Sequence, residues 1–360
     1  MRVEEVWLHF FTLPLEGALA WGRGSRLEAL RHALVEVRLR DGSVGRGEVA
    51  IRPTIYGETE KSVEGALSYL APRLKGRSLE KPWADLFFAL PFNHAAKGGL
   101  DLALWEARAK SEGRPYALAP ERERVEVAYI VGLGDDEAVL RDAAFAFERG
   151  VRVFKVKVGR DLEADTRRIE KLRAAFPEAR LYADANETLS PDEAPRYLAA
   201  WRELGLLFVE EPLPIEEVPA RQALKLAGIL PLIADDSAFT PRDLRRELNL
   251  DTFDVLNLKP ARTGYTWSLA MLAEARAAGK GAMVGSQAFS SFGAYQAALL
   301  ALQRGVDAPS ELAFHLKAKG SFFPFPKLKE GYLYARDLPP LDAFDAESFA
   351  AYVSRSTRIL

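Results

Sequence analysis

Apolar residues change their period along this chain, and the changes divide it into parts. Residues 3–12 and 31–40 alternate apolar with polar, the pattern of a strand buried on one face. The second run passes through Asp41-Gly42 into SVGRGEVA, and an Asp-Gly between two alternating runs marks a β-hairpin. Between the first two runs, GALAWGRGSR reads as a glycine-rich loop, and AIRPTIYGET reads as a second loop after the hairpin. From Thr59 to Leu70 and from Ala95 to Glu112 the period turns helical. Leu100, Ala103, Leu104 and Ala107 share one stripe there, and Gly113 stops it. Residues 1–120 are therefore predicted to form an α+β module.

From Val125 the rhythm is different. Short apolar runs recur at 125–133, 151–158, 181–186, 206–212, 231–237, 255–260, 281–287 and 311–316, separated by amphipathic segments such as DLEADTRRIEKLRAAF. Strand, helix, strand without hairpin signals means parallel βα units. Eight of them predict a (β/α)8 TIM-type barrel over residues 121–320. The competing open doubly wound sheet usually carries fewer strands and a glycine-rich first turn. After Gly320 the chain is rich in proline and aromatic residues, which need a surface to bury. Residues 321–360 are expected to pack back on the N-terminal module, giving an α/β fold in which the C-terminal segment completes a capping domain.

Composition narrows the function classes. With 48% hydrophobic and 28% charged residues in 360, the chain has the make-up of an ordinary globular enzyme. A net charge of −2 offers no basic excess for nucleic acid. There is no cysteine, which excludes disulfides, thiolate metal sites and a cysteine nucleophile. No apolar run has the length of a membrane span, and MRVEEVWLHF lacks the basic-then-apolar order of a signal peptide, so a cytoplasmic protein is expected. The Gly-Arg-Gly of the first loop has neither a Gly-x-x-Gly continuation nor a P-loop lysine, and predicts no nucleotide site.

The candidate chemistry gathers at the ends of the apolar runs. In VRVFKVKVG, Lys155 and Lys157 share a face with Val151 and Val153. Taken alone, such a pair suits the solvated face of an edge strand. The following runs, however, end in Asp184 with Asn186, Glu210 with Glu211, Asp235 with Asp236, and Lys259, each step 24 to 27 positions long. One βα unit per step explains that spacing, and all strand C-termini of a parallel barrel open on one face. A single acid there could be a plain helix N-cap; three in succession, framed by lysines, are not explained that way. Three carboxylates at one mouth need a cation to stay ionised, and oxygen donors without histidine or cysteine select a hard one, Mg²⁺ with Mn²⁺ as a substitute. Parity chooses among the doubled acids. Glu210 shares a face with Phe208 and Asp235 with Ile233, so Asp184, Glu210 and Asp235 are the predicted ligands. Lys157 and Lys259 would flank them, and burial beside a cation favours the neutral amine that acts as a base.

At FKVKVG, YADAN, FVEEPLP, IADDS and LNLKP the sequence resembles the enolase superfamily, and within it the muconate-lactonizing-enzyme subgroup. The resemblance covers nearly the whole chain, ALWEARAKSEGRP included. It implies Mg²⁺ at Asp184, Glu210 and Asp235, acid/base catalysis by Lys157 and Lys259, tuning of Lys157 by Lys155, and support of the ligands by Asn186 and Asp236. The half-reaction it implies is removal of the proton α to a small-molecule carboxylate through an enediolate, in a homo-oligomer. None of His9, His32, His94 or His315 falls at the sixth or seventh run, where the mandelate-racemase branch carries its histidine. Racemisation, epimerisation or cycloisomerisation would follow, as in N-acylamino acid racemases or muconate cycloisomerases. A lyase of the o-succinylbenzoate synthase or dehydratase type is the alternative, and a non-catalytic binding barrel a third. AFHLKAKG lacks the Asp-x-Asp with which dipeptide epimerases bind an α-ammonium. Substrate contacts are expected from Trp21, Arg23, Ile55 and Tyr56 in the two cap loops. Ser286, Gln287 and Phe289 are expected to add to them after the seventh run, Phe289 standing where many relatives carry a glutamate.

Overall fold

The computed structural model describes residues 1–21, 25–132 and 134–360, apart from the side chains of residues 18–21 and 25. Antiparallel strands β1 (Val3–Trp21), β2 (Ser25–Leu39) and β3 (Val44–Ala50) open the chain. The hairpin expected at Asp41-Gly42 joins β2 to β3, with Gly42 at φ 86°. The loop expected over GALAWGRGSR is instead mostly strand. β1 and β2 stay paired from Leu19↔Leu27 to Trp21↔Ser25, beyond an irregularity between Pro14 and Leu19. Gly17, at φ 77°, lies inside that irregularity and supplies the left-handed residue that lets the ladder resume.

Helices α1 (Pro53–Tyr56), α2 (Glu60–Leu70), α3 (Asp85–Phe88) and α4 (His94–Ser111) complete the N-terminal part. α2 begins at a capping box in which Thr59 and Ser62 bond each other's backbone N–H. α4 lies so close to β3 that a Cβ on Gly45 or Gly47 would overlap its backbone, which accounts for the glycines alternating in VGRGEVA.

The chain then passes through β4 (Arg124–Glu126) into βα units: β5 (Ala128–Val131), α5 (Asp136–Glu148), β6 (Val153–Lys157), α6 (Leu162–Ala175), β7 (Arg180–Asp184) and α7 (Ala194–Glu203). They continue with β8 (Val209–Glu210), α8 (Val218–Ala227), β9 (Leu232–Ala234), α9 (Pro241–Leu250), β10 (Val255–Leu258), α10 (Pro260–Ala277), β11 (Gly281–Val284) and α11 (Ser291–Ala301). Among the described residues β5 to β11 form one parallel sheet in sequence order.

The eighth apolar run, expected as a strand, is not one. Residues 310–311 bridge the two sheet edges: Ser310 N donates to Glu126 O (2.9 Å), Ala128 N donates to Ser310 O (2.8 Å), and Glu311 N donates to Val284 O (2.8 Å). Leu312 N then folds back on Ser310 O, and a 3₁₀ turn follows at Phe314–Lys317. Side chains fasten the seam, with Lys317 Nζ donating to both oxygens of Asp142 at 2.6 Å and Tyr129 OH donating to Oδ1 at 2.5 Å. The barrel is therefore closed by these three backbone bonds and a polar latch.

After β12 (Tyr332–Tyr334), which pairs with β4, and α12 (Ala346–Ala350), β13 (Val353–Arg358) runs antiparallel to β1. The cap sheet has the order β13-β1-β2-β3, so the C-terminal segment completes it as expected. Phe322 and Phe349 pack edge-on against Phe11, each with ring centroids 5.4 Å away, which gives the aromatic tail its burial. No helix among the described residues is long and apolar enough to cross a membrane.

Candidate active site

Strand register brings the candidate groups together. Lys157 stands opposite Asp184 in the β6–β7 ladder, and Asp184 opposite Glu210 in the β7–β8 ladder. Asp235 follows β9 directly, and Lys259 follows β10. Lys155 Nζ lies 2.8 Å from Asp184 Oδ2, 2.9 Å from Glu210 Oε1 and 2.6 Å from Glu311 Oε1. Lys157 Nζ donates to Asp184 Oδ2 at 2.6 Å and to Asn186 Oδ1 at 2.8 Å. Lys259 Nζ is ion-paired with Asp235 Oδ2, while Arg262 donates to Asp235 O at 2.7 Å and to Asp236 Oδ1 at 2.8 Å. Asp184, Glu210 and Asp235 are 1%, 0% and 3% exposed.

Burial by itself would raise all three carboxyls, and the neighbours decide which of them follow. Glu210 does, pushed well above the usual carboxylate range by desolvation with help from Asp184, Glu311 and Asp235, although Lys155 opposes the push. Asp184 moves the other way, because Lys155 and Lys157 outweigh burial and hold it at about 2. Asp235 is likewise held low against burial by Lys259 and Arg262. The amines respond in kind. Desolvation favours their neutral form, but Asp184, Glu210 and Glu311 raise Lys155 well above its ordinary value, and Asp235 and Asp236 raise Lys259.

Ammonium groups thus stand among the acids, and among the described residues no three acid or histidine side chains form a ready metal cage. The donor chemistry nevertheless fits a hard divalent cation. Three buried carboxylates occupy successive strand ends, and Glu210 Oε2 and Asp235 Oδ1 are buried without a hydrogen-bond partner, the latter 3.2 Å from Arg262 Nη2 as an ion pair.

These groups open into a cavity of about 550 Å³. Lys155, Lys157, Asp184, Asn186, Asp235, Asp236 and Lys259 line it, together with Ser286 and Gln287 from the loop after β11 and Ile55 from α1. Glu210, fully buried, is not among the lining residues. Two expected substrate contacts are not among the lining residues: Phe289 is packed into the core, and Tyr56 stands behind the wall with its ring edge-on against the lining residue Phe239, centroids 5.6 Å apart. Aromatic rings gain more from apolar packing than from the polar mouth. Arg23 lies outside the described residues, as does the side chain of Trp21. Ile130, Ile215, Phe239 and Phe314 give the cavity an apolar wall that the motifs do not announce.

Other functional neighbours are also absent from the motifs. Glu311 accepts from Lys155, from Tyr182 OH at 3.0 Å and from Ser286 N at 2.8 Å. An acid inside an apolar run is its one signal in the sequence. Glu48 of β3 accepts from His32 Nδ1 (2.6 Å) and from the N–H groups of Ser290 (3.0 Å) and Gly293 (2.9 Å) at the start of α11. Arg52 Nη2 donates to His32 Nε2 at 2.7 Å and to the carbonyls of Gln287 at 2.8 Å and Ala288 at 3.2 Å. The cap thereby grips the seventh loop. Asn186, Glu187, Glu211 and Ala288 all take positive φ around this mouth, a strain that persists only where the surroundings over-determine the backbone.

Residues 138–340 match the family described as Enolase C-terminal domain-like, and residues 19–118 that described as Mandelate racemase / muconate lactonizing enzyme, N-terminal domain. The L-Ala-D/L-Glu epimerase of Escherichia coli is 32% identical over 289 residues, covering 78% of this chain and 83% of its own. The N-succinylamino acid racemase of Thermus thermophilus is 31% identical over 326 residues, covering 87% and 86%. The crystal structure of muconate lactonizing enzyme from Mucobacterium Smegmatis with muconolactone matches at a TM-score of 0.90 and 28% identity, over 99% of this chain and 100% of that one.

Proposed function

This chain belongs to the enolase superfamily, within its muconate-lactonizing-enzyme subgroup, and we propose that it is an Mg²⁺-dependent isomerase whose two lysines exchange the proton α to a substrate carboxylate. The observation that supports this reading is the pair Lys157 and Lys259, buried in one cavity on two different acids, Asp184 and Asp235. Asp184, Glu210 and Asp235 would hold the cation. When bound, it would stabilise the negative charge that builds on the substrate carboxylate as the α-proton leaves.

The chain's own groups do the rest. With Asp184 and Asp235 engaged elsewhere, Lys157 and Lys259 lose their ion-pair partners, which leaves both amines free to exchange a proton with the substrate. One Nζ takes the α-proton from one face of the substrate, and the other returns a proton to the opposite face. Lys155 also pairs with Glu311, which is not one of the three ligands, and so stays charged and keeps positive potential beside Lys157. The apolar wall limits the water that could quench an enediolate.

An N-acyl amino acid suits the cavity better than a dipeptide. Glu311, the acid of the eighth segment, is spent on Lys155, Tyr182 and Ser286, and Phe314 lines the cavity beyond it. The described residues of that segment therefore offer no free carboxylate to an α-ammonium. Racemisation of an N-acyl amino acid is the outcome we favour. A cycloisomerase or a lyase would use the same enediolate.

Incubation with Mg²⁺ in D₂O, read by proton NMR, tests the reading against N-acyl amino acids, dipeptides and muconate-type acids. Deuterium is expected at the α-carbon; no exchange from any of these classes would overturn it. Lys157→Ala and Lys259→Ala should each remove exchange from one enantiomer by about 10²–10⁴-fold. A lyase would instead release an eliminated product.

A further inference from the structure

Lys259 sits on a turn that the cap helps to hold. α10 is broken at Gly264, whose φ of 55° and ψ of −163° suit glycine alone. The break parts a single turn, residues 260–263, from the helix that resumes at Tyr265. That turn carries the site. Lys259 is its N-cap residue, the Lys259 carbonyl accepts from Arg262 N at 3.0 Å and from Thr263 Oγ1 at 2.9 Å, and Arg262 reaches back to Asp235 and Asp236.

The resumed helix begins with backbone N–H groups that lack a partner within it. One of them, Thr266 N, donates to Asp101 Oδ2 at 2.9 Å, and Thr266 Oγ1 donates to Asp101 Oδ1 at 2.6 Å. Asp101 belongs to α4, so the cap supplies the carboxylate that a helix usually finds just before its own first turn. Asp101 is 1% exposed, and Trp83 Nε1 donates to its Oδ1 at 2.7 Å. Two more residues on the same face of α4 touch this region. A Cβ on Gly98 would come within 2.6 Å of Ala261 O, and Trp105 Nε1 donates to Thr266 Oγ1 at 2.9 Å. Gly98, Asp101 and Trp105 are spaced three and four apart, one stripe of a helix. A carboxylate this deep is tolerable only while its donors stay in place, so α4 and the broken helix fix each other.

We propose that Asp101 is a positioning residue for the reaction: acting through Thr266 and the 260–264 turn, it sets the placement of Lys259, while Lys157 of β6, held by Asp184 at the end of β7 and by Asn186 just after it, is set independently. The proposal rests on the two-lysine reading above. Its physical basis is that proton transfer falls steeply when a reacting group moves by a fraction of an ångström to an ångström.

Enantiomer-resolved α-deuterium exchange tests it, with Lys157→Ala and Lys259→Ala defining which enantiomer each lysine serves. In Asp101→Asn one oxygen becomes an NH₂ that cannot accept, and exchange from the Lys259 enantiomer should slow by about tenfold, while the Lys157 enantiomer and both KM values change by less than about twofold. Thr266→Val keeps the backbone N–H and the side-chain volume, and should slow the same enantiomer by about threefold even if Asp101→Asn does not fold. Trp83→Phe, which removes a bond to Asp101 on the cap side, should leave the ratio of the two rates unchanged. Equal slowing of both enantiomers, or no slowing in Thr266→Val, overturns the proposal. If the lysine variants fail to separate the enantiomers, the two-lysine reading falls and this one with it; if they do and the Asp101 and Thr266 variants do not, this one falls alone.

Discussion

Lys157 and Asp184 face each other across the β6–β7 ladder and join at their tips, Nζ to Oδ2, at 2.6 Å. The same oxygen takes Lys155 at 2.8 Å, so one carboxylate answers two ammonium groups. What binds Asp184 therefore decides how Lys157 is held, while Lys155 keeps Glu311 as a further partner.

Asp184→Asn should weaken Mg²⁺ binding by about 100-fold or more, since it removes a charged oxygen donor from the set. Titration calorimetry checks this directly, and unchanged affinity would place the cation elsewhere. Treatment with a chelator should abolish α-proton exchange in the wild type, and added Mg²⁺ should restore it.

Glu48 joins a cap strand to the first turn of α11. Glu48→Ala should lower the stability of the folded chain by about 3 kcal/mol, because it leaves His32 Nδ1, the Ser290 hydroxyl and two helix N–H groups without their buried acceptor. Urea unfolding measures the loss. Arg52→Met should raise KM more than it lowers kcat, since it frees the carbonyls of Gln287 and Ala288 in the loop that lines the cavity; a fall confined to kcat would contradict that account.

His32 makes stability depend on pH. Burial first, then Arg52, pushes its pKa down to about 4 against the pull of Glu48. Its Nδ1 donates to Glu48 while its Nε2 accepts from Arg52, which only the neutral ring can do. The unfolded imidazole titrates near about 6.5. Between that value and about 4 the unfolded chain binds more protons than the folded one, so stability falls as pH drops through the window, by roughly 3 kcal/mol at its acid end. His32→Gln can make both hydrogen bonds without titrating. Its unfolding free energy should fall less between neutral pH and the acid end than that of the wild type, and parallel curves would remove His32 from the account.

Much of this architecture was legible because period and parity are local. The βα rhythm after Val125 places Lys157, Asp184, Glu210, Asp235 and Lys259 at successive strand ends, and the structure brings them to one mouth. What was illegible depends on distant partners. Nothing near Glu48 announces Gly293, nor does anything near Asp101 announce Thr266, because each bond spans well over a hundred residues. ELAFHL reads as a strand by composition, yet its chain leaves the sheet after one bridge as Leu312 turns back on Ser310. GALAWGRGSR reads as a loop by its glycines, yet one of them serves an irregularity inside a continuing ladder. Phe289 follows the loop that lines the cavity, yet its ring is packed into the core, and Tyr56 reaches the cavity wall only through Phe239.

The cap sheet takes β13 as the neighbour of β1, so its outer strand is made some three hundred residues after the inner ones. During synthesis the first hairpin must wait, one edge bare, while every βα unit emerges from the ribosome. The barrel is thus free to assemble before the lid over it can be finished, and truncating the chain ahead of Val353 would strip β1 of its outer neighbour from Trp7 to Phe11.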